Sequence, residues 1–182
     1  MAEHDLVALW EAHCRCEFET RDVDATMATM VDEPYVNHVP TMTGGVGHDQ
    51  LKRFYKHHFI GNNPPDTTLT PISRTVGADS VVDEMLFRFT HTSAVDWMLP
   101  GIAPTGRRVE IPLVAIVQFR DGKVAHEHIY WDQASVLVQV GLLDPAGLPV
   151  AGIETARKVV DKTRPSNALM GEAWRRSEGK PV

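Results

Sequence analysis

Four polar side chains suited to acid or base chemistry alternate along one predicted strand. The strand follows the turn dipeptide Asp121-Gly122 and contains β-branched and aromatic residues without proline or glycine. Because side chains alternate across a strand, the four point to one face. Two imidazoles, a phenol and a carboxylate in one line are costly to bury without partners, so this face is a candidate functional site. The four residues are His126, His128, Tyr130 and Asp132.

Asp132 lies where this strand ends and a helix begins. From Val136 to Leu143 the apolar residues recur every three or four positions, which is the period of a helix. Aspartate is a favoured N-cap, and capping alone would explain its presence before that helix. The other interpretation is a catalytic carboxylate, and the strand and helix pattern leaves both open.

A metal site is the second chemical option on this strand. His126 and His128 would present two imidazoles on one face, and Glu127, His57 and His58 add further ligands to the inventory. Two histidines at this spacing are common without metal, and nothing in the sequence dictates a third ligand. We therefore expect no bound metal.

The composition of the 182-residue chain is that of an ordinary globular domain, with 43% hydrophobic and 23% charged residues. A formal net charge of -6 without a basic stripe argues against nucleic acid as a partner. No apolar run approaches the roughly 20 residues that span a bilayer, and the N-terminus lacks the pattern of a secretory signal. Cys14 and Cys16 would point about 200° apart on a helix, so we expect a reduced, cytoplasmic protein.

Periodicity predicts helices first and strands later along the chain. This order favours an α+β fold with an antiparallel sheet. Residues 43–47 are rich in glycine and are predicted to form a flexible loop. The predicted helices span 3–20, 23–31, 48–59 and 133–140, and the predicted strands span 35–39, 68–76, 80–92, 107–120 and 124–131.

Two features near the predicted core have more than one interpretation. His13 falls on the apolar face of the first helix, and Glu17 lies at the edge of that face, where a half-exposed surface acid is the ordinary interpretation. In the loop 97–106, Trp97 and Met98 either pack as satellites of the core or form a lid over a pocket.

The compact pattern ends shortly after the last predicted helix. We therefore expect one domain over residues 1–144, followed by an extension over residues 145–182 that is draped over the domain or over a partner. The strand at 107–120 is apolar on both faces, which indicates that both are covered. One cover is the helical layer, and a second subunit is the other candidate.

Several short segments occur in the order typical of one family, and together they cover about residues 3–143. On these segments the chain resembles the NTF2-like superfamily and, within it, the SnoaL-like polyketide cyclase group. The last segment is the most specific. The segments are Tyr35-Val36-Asn37-His38, Phe89-Thr90-His91, Pro104-Thr105-Gly106-Arg107, Phe119-Arg120-Asp121-Gly122-Lys123-Val124, and Trp131-Asp132-Gln133 followed by Gln139-Val140-Gly141-Leu142.

The resemblance implies a cone in which a curved antiparallel sheet wraps around N-terminal helices and forms a deep pocket. It also implies a homodimer packed through the sheet. In SnoaL-like cyclases an acid at the place of Asp132 is the general acid/base of an intramolecular aldol condensation, and a histidine at the place of His38 assists it. Tyr35 and Asn37 are similar to the Tyr-x-Asn that holds water in limonene epoxide hydrolase, although by ideal alternation His38 faces away from both.

These observations predict a cofactor-independent acid/base enzyme of the cyclase, isomerase or hydratase type, acting on a small or polycyclic carbonyl compound. An apolar pocket would raise the pKa of Asp132 and make it a base near neutrality. His38, His91 or Tyr35 would donate to the developing enolate oxygen. The residues expected to contact the substrate are Tyr35, Asn37, His91, Trp97, Met98, His128 and Tyr130.

Two alternatives stay open. The fold also serves proteins that only bind a small molecule, since fold does not imply function. A hydrolase of the lactone or epoxide type is the other alternative, because similar chains with such extensions are labelled carboxymethylenebutenolidase. That chemistry needs a nucleophile elbow, and no Gly-x-Ser-x-Gly or cysteine version of it is present.

Overall fold

The structure is a computed structural model that describes residues 5–181. Two helices, α1 and α3, each continue into a wider π-type turn, at Cys16–Thr20 and at Tyr55–Phe59. The helices are α1 (Leu6–Arg15), α2 (Val23–Ala28), α3 (His48–Phe54), α4 (Gln133–Gln139), α5 (Glu154–Val160) and α6 (Glu172–Arg175). The strands are β1 (Met30–His38), β2 (Thr43–Val46), β3 (Thr68–Val76), β4 (Ser80–Thr90), β5 (Arg108–Arg120) and β6 (Lys123–Trp131).

The six strands form one curved, unclosed sheet in the order β2-β1-β6-β5-β4-β3. Four of the five pairings are antiparallel, as the order of elements predicts, whereas β1 and β6 run parallel. This parallel pair places the first long strand next to the last one. As a result, the helices that precede β1 pack on the sheet near β6. The predicted α+β fold is confirmed.

Strand β1 begins earlier than the sequence predicts. We expected the second helix to run to Val31, but α2 ends at Ala28 and Met30 already pairs with Val124 of β6. The amide of Val124 donates to the carbonyl of Thr29 at 3.0 Å. This long-range backbone pairing outweighs the local helical pattern, which no single-sequence argument captures.

The glycine-rich segment 43–47 is also a correction, because it forms strand β2 and not only a loop. Gly44 pairs with Asn37 of β1 and has a φ of +138°. A Cβ atom at Gly44 would lie 2.0 Å from the carbonyl oxygen of Val36. The glycine therefore permits close approach of two backbones at the edge of the sheet.

The core lies between the sheet and helices α1 and α3. Strands β4 and β5 alternate, as predicted, between a buried face and a partly exposed one. On β4 the buried face runs from Val81 to Phe89. The opposite face of the sheet is more open, with Ile116 37% exposed and Tyr130 41% exposed.

Helix α1 is fastened to the sheet by a buried carboxylate. Asp83 of β4 is 5% exposed and accepts a hydrogen bond of 2.8 Å from Trp10 Nε1. Arg74 of β3 donates to both oxygens of Asp83, at 3.0 and 2.8 Å, and to Glu11 at 2.9 Å. A bidentate contact between a guanidinium and a carboxylate is the strong form of an ion pair. These contacts therefore fix the position of one side of α1 on the sheet.

The segment after α4 returns to the sheet through α5. Ser135 donates to the carbonyl oxygen of Gly152 at 2.8 Å, and Ala156 is fully buried. Almost every residue after Val160 is exposed. The division between residues 1–144 and 145–182 stays a prediction.

We expect Asp83→Ala to lower the free energy of unfolding by about 3 kcal/mol, because it leaves Arg74 and the indole of Trp10 without their partner. Urea denaturation monitored by circular dichroism measures this. The control is Glu11→Ala, which removes the exposed partner of the same arginine and should cost less than about 1 kcal/mol. Equal losses in the two variants would contradict the anchoring role of Asp83.

Candidate active site

A cavity of about 40 Å³ lies between α1, α3 and the inner face of the sheet. It admits about three water molecules. Most of its wall is apolar, and the deep pocket implied by the family resemblance stays a prediction. The ionisable residues in the wall are Cys14, Glu17, His38, Tyr55 and Glu127.

Three buried side chains form an ionic cluster at the cavity. His13 Nε2 lies 3.2 Å from Glu17 Oε1 and 3.2 Å from Glu127 Oε1. None of the three exposes more than 4% of its surface. We call this group the His13 cluster. Buried charges persist only when they are paired, so the three groups depend on one another.

Local structure explains why these side chains meet. His13 and Glu17 are four residues apart and so share one face of the helix. Glu127 lies on β6 between His126 and His128, and strand alternation points it inward when they point outward. The π-type turn that begins at Cys16 carries Glu17, and such turns are frequent at functional sites.

Neighbouring charges shift the pKa values of the His13 cluster. Burial by itself lowers the pKa of His13, but the charges of Glu17 and Glu127 outweigh it and raise that pKa to about 10. Burial raises the pKa of Glu127, and the charge of His13 opposes this rise. Perturbed groups of this kind in the wall of a cavity mark a candidate active site.

Tyr55 brings a neutral donor to the same wall. Its side chain is 1% exposed, and within residues 5–181 its hydroxyl makes no hydrogen bond of good geometry, although Glu17 lies close enough to raise its pKa. Burial and then the charges of Glu127 and Glu17 raise its pKa above the ordinary value, so the phenol stays protonated. A buried hydroxyl without a partner is costly in a folded protein, and it is available to a bound molecule.

His38 faces the same cavity in a different state. Burial lowers its pKa to about 4, although a hydrogen bond to the carbonyl of Thr43 opposes this. Because a carbonyl only accepts, Nδ1 of His38 donates to Thr43 at 3.2 Å and Nε2 carries the lone pair. Aromatic rings surround the imidazole with centroids 4.8 to 6.0 Å away, from Phe54, Phe59, Trp97 and Trp131.

Asp132 lies outside the cavity wall. Its side chain is exposed and accepts a hydrogen bond from the amide of Ser135 at 3.2 Å, which caps α4. The N-cap interpretation is therefore confirmed. The expected apolar surroundings of the carboxylate are wrong, because Asp132 is the first residue after β6 and points to solvent. Its catalytic role stays a prediction.

Most of the other predicted contact residues lie on the opposite face of the sheet. The ring of Tyr35 lies 5.5 Å from that of His128, and the rings of His126 and His128 lie 5.0 Å apart. Tyr130 and Asn37 belong to this face as well. As alternation predicts, His38 points away from Tyr35 and Asn37, and only His38 reaches the cavity.

The start of the loop 97–106 packs into the core, whereas most of its residues after Leu99 are exposed, so a role of the loop as a lid stays a prediction. Trp97 is 2% exposed, lines the cavity and donates to Asn63 Oδ1 at 2.9 Å. Met98 is fully buried, and its carbonyl accepts from Gln133 at 2.9 Å. His91 is also fully buried outside the cavity wall, where Nδ1 accepts from the amide of Thr105 at 3.3 Å.

Sequence reasoning missed the His13 cluster, although its signals are present. A histidine on the apolar face of a helix followed four residues later by an acid is one signal. The other is Glu127, which lies between Ala125 and Ile129 on an otherwise apolar strand face. Each has an ordinary interpretation alone, and only the fold brings the two together.

These features define the class of protein, because a curved sheet packed on N-terminal helices around a small internal cavity is the NTF2-like fold. The sequence matches the SnoaL-like domain over residues 10–127, well over half of the chain. The chain therefore belongs to the SnoaL-like domain family. Glu127 is the last matched residue, and Asp132 lies beyond the match.

Solved structures with the same fold share little sequence with this chain. An NTF2-like protein of unknown function from Burkholderia pseudomallei is 18% identical, with a TM-score of 0.57 over 78% of this chain and 99% of its own. A putative SnoaL-like polyketide cyclase from Jannaschia sp. CCS1 is 21% identical, with a TM-score of 0.56 over 76% and 94%. A hypothetical protein with a ketosteroid isomerase-like fold from Catenulispora acidiphila, in complex with trimethylamine, is 17% identical, with a TM-score of 0.55 over 74% and 93%.

No protein of curated function matches the chain in sequence. Among residues 5–181, no helix is both long and apolar enough to cross a bilayer.

We expect Asp132→Asn to leave the thermal unfolding temperature unchanged, because asparagine caps helices as well as aspartate does. Asp132→Ala should lose about 1 kcal/mol of stability, because the amide of Ser135 loses its acceptor. Differential scanning calorimetry of both variants measures this. Equal stability of Asp132→Ala and the wild type would contradict the capping role.

Proposed function

We propose that this chain is an enzyme that transfers protons on a small carbonyl compound, in a reaction of the isomerase, hydratase or cyclase type. The observation that carries the proposal is the presence beside one cavity of two imidazoles in opposite states, since His38 lies in the wall and His13 lies directly behind the wall residues Glu17 and Glu127. His13, held between two carboxylates, is the charged one. His38, held among aromatic rings, is the neutral one. Pairs of titratable groups whose environments drive their pKa values apart are how acid and base roles are divided.

The polar end of the cavity supplies the groups that stabilise negative charge on oxygen. The hydroxyl of Tyr55 is a donor in this water-poor wall, where such a contact to a developing enolate oxygen is strong, and the positive charge of His13 behind the wall would stabilise the same oxygen at longer range. Both stay protonated at neutral pH because their pKa values are raised.

Nε2 of His38 takes the role of proton acceptor in this proposal. It is neutral and carries a lone pair, and its Nδ1 hydrogen is fixed on Thr43. The low pKa makes it a weak base in the empty cavity, but an enolate beside it would favour its charged form. Proton abstraction from carbon and donation to oxygen would thus come from opposite parts of one wall.

The size of the cavity limits the substrate. A volume of about 40 Å³ accommodates only a fragment of an organic molecule. Cys14, Phe18 and Leu69 are the half-buried residues of the wall, so a ligand would enter by displacing them. This favours a small carbonyl compound over a polycyclic one.

The comparisons support this reaction class without fixing it. One protein with the same fold carries the name of a SnoaL-like polyketide cyclase, and another is described by its ketosteroid isomerase-like fold. As predicted from the sequence, the proposed reaction uses only side chains of this chain and needs no cofactor.

Tyr55→Phe should keep the stability of the wild type, because the lost hydroxyl makes no hydrogen bond of good geometry, and should lower turnover by about 100-fold. His38→Asn should lower turnover by at least about 100-fold by removing the base. The test is a panel of ketones, enones, lactones and epoxides, screened first for thermal stabilisation and then for consumption of the compound.

Glu11→Gln is the matched control, because Glu11 lies on α1 but pairs at the surface with Arg74. It should retain full turnover. The proposal fails if Tyr55→Phe and His38→Asn consume the substrate as fast as the control. Asp132→Asn should also retain turnover, because its carboxylate lies outside the cavity, and loss of turnover there would restore the prediction from sequence.

The low pKa of His38 also predicts how stability depends on pH. The unfolded chain binds a proton at His38 below pH 6.5, whereas the folded protein resists it until about pH 4. Between these two pH values the unfolded state therefore binds more protons than the folded state. The shift of the His38 pKa contributes about 3 kcal/mol to the free energy of unfolding, which is fully present above pH 6.5 and is lost as the pH falls to about 4. His38→Asn should lack this part of the decline when urea unfolding is compared at pH 7 and pH 4. An identical decline in both proteins would contradict a neutral, buried His38.

A ligand-binding protein without catalysis is the alternative. The fold hosts such proteins, and the hydroxyl of Tyr55 and the lone pair of His38 would serve binding equally well. Compounds that stabilise the wild type and are never consumed would favour this alternative. Hydrolysis of a lactone or epoxide has less support, because burial raises the pKa of Cys14, the thiol in the cavity wall, and so keeps it in the unreactive protonated form.

We also propose that the open face of the sheet, with Ile116 and Tyr130, packs against a second copy in a homodimer, and that residues 145–182 act as an extension of the domain. The half-exposed apolar side chains on that face support the first part, and the buried Ala156 supports the second. Light scattering of the full chain tests the dimer.

A further inference from the structure

We infer that His13, Glu17 and Glu127 form a site for one divalent ion of the first transition row. The prediction that the chain binds no metal considered His126 and His128, which lie on the other face of the sheet. The donor atoms of the inner cluster, one imidazole nitrogen and two carboxylate oxygens, all lie within 4.8 Å of one another. This is the only such group of three or more histidine, cysteine and acidic side chains among residues 5–181.

Hydrogen bonds of Thr29 fix the tautomer and orientation of the His13 imidazole in the form that binds a metal. The hydroxyl of Thr29 donates its single proton to the carbonyl of Thr26 at 2.6 Å. It must therefore accept at its contact of 2.6 Å with His13 Nδ1, so Nδ1 carries a hydrogen and Nε2 faces the two carboxylates. A ligating histidine almost always donates its other ring N–H to an oxygen in this way.

The distances fit a shared metal ion. Donor atoms that bind one ion at about 2.0–2.2 Å lie roughly 3 to 3.5 Å apart in tetrahedral or octahedral coordination. His13 Nε2 lies 3.2 Å from Glu17 Oε1 and 3.2 Å from Glu127 Oε1. Both separations fall in that range.

The hydrogen-bond geometry inside the cluster is a second observation. His13 Nε2 and Glu127 Oε1 are fully buried, and neither has a hydrogen-bond partner of good geometry within residues 5–181. A proton on Nε2 points in one direction and cannot align with two equidistant oxygens, whereas a cation between the three atoms contacts all of them. Buried groups without partners call for an explanation, and an ion supplies one.

The donor set indicates the kind of ion. A neutral imidazole with two carboxylates carries a charge of about -2, which a divalent cation balances. One nitrogen among oxygen donors suits Zn²⁺, Fe²⁺ or Mn²⁺ and is unlike the all-oxygen sites of Ca²⁺ and Mg²⁺. Glu17 and Glu127 lie with Tyr55 in the cavity wall, so a molecule in the cavity would be within reach of an ion that these carboxylates hold.

For the reaction, this inference rests on the proposed function. A divalent ion at the polar end would replace the proton of the His13 cluster as the group that polarises the carbonyl oxygen. The roles of Tyr55 as donor and His38 as proton acceptor stay as proposed. The binding of the ion itself does not depend on any reaction.

The experiment uses the full chain without a histidine tag, treated with EDTA and dialysed. Calorimetric titration with Zn²⁺ should give one ion per chain with a dissociation constant in the micromolar range or below. Titration with Co²⁺ should produce visible absorption bands that Zn²⁺ abolishes by displacement. These readouts do not require activity.

Variants locate the ion. His13→Gln, Glu17→Gln and Glu127→Gln should each weaken binding by about 100-fold or more, and Thr29→Val should weaken it by about 10- to 100-fold through loss of the acceptor for Nδ1. Glu11→Gln, on the same helix, should bind as the wild type does. The double variant His126→Gln with His128→Gln should also bind unchanged.

The outcomes separate the two proposals. The metal site is overturned if the folded wild type does not bind one ion per chain. It is also overturned if folded His13→Gln still binds the ion, or if only the double variant of His126 and His128 loses binding. If a cluster variant fails to fold, Thr29→Val and the wild-type titration still decide. Undiminished turnover by the EDTA-treated enzyme overturns the metal as electrophile and leaves the proposed function intact. Tight binding without turnover of any panel compound overturns the proposed function and leaves the metal site intact.

Discussion

A charged group buried between helix and sheet places the strongest constraint on this structure. His13 and two glutamates share a space from which water is almost excluded, and none of them is stable there alone. Helix α1, the end of α2 and strand β6 must therefore hold fixed positions relative to one another. The contact of Trp10 and Arg74 with Asp83 fixes α1 from its other side. The helical layer is thus set by polar contacts as much as by apolar packing.

The cavity owes its chemical character to this arrangement. One end is ionic, because the glutamates keep a proton or a cation between them. The remainder is aromatic, and there the same kind of side chain, His38, loses its proton. A single small space thus offers a hydrogen-bond donor and an acceptor at neutral pH. Neither property belongs to histidine itself, since both follow from what each ring touches.

Much of the fold follows from local patterns in the sequence, but the site does not. Alternation on β6 correctly predicts that His126, His128 and Tyr130 share a face. It cannot tell which face is covered by helices, because the opposite residues include Glu127 as well as Ile129. The choice is made by the parallel pairing of β1 with β6, a contact between residues about 90 positions apart. The capping role of Asp132 could be predicted because it depends only on neighbouring residues. The burial of Glu17 could not be predicted, because it depends on a strand over 100 residues away.

The two π-type turns carry a further consequence. Each winds one residue more into its turn than an α-helix would, and each lies where its helix borders the cavity. In the first, the carbonyl oxygen of Cys16 accepts from the amide of Asp22, six residues on. The extra residue rotates the end of α1, so that Phe18 and Glu17 both reach the wall although they are neighbours in the chain. A related chain that lacks this one residue would keep the same helices and the same sheet, yet it would present a different set of side chains to its ligand. Divergence of specificity in such a fold can therefore proceed through single insertions and deletions as well as through substitutions.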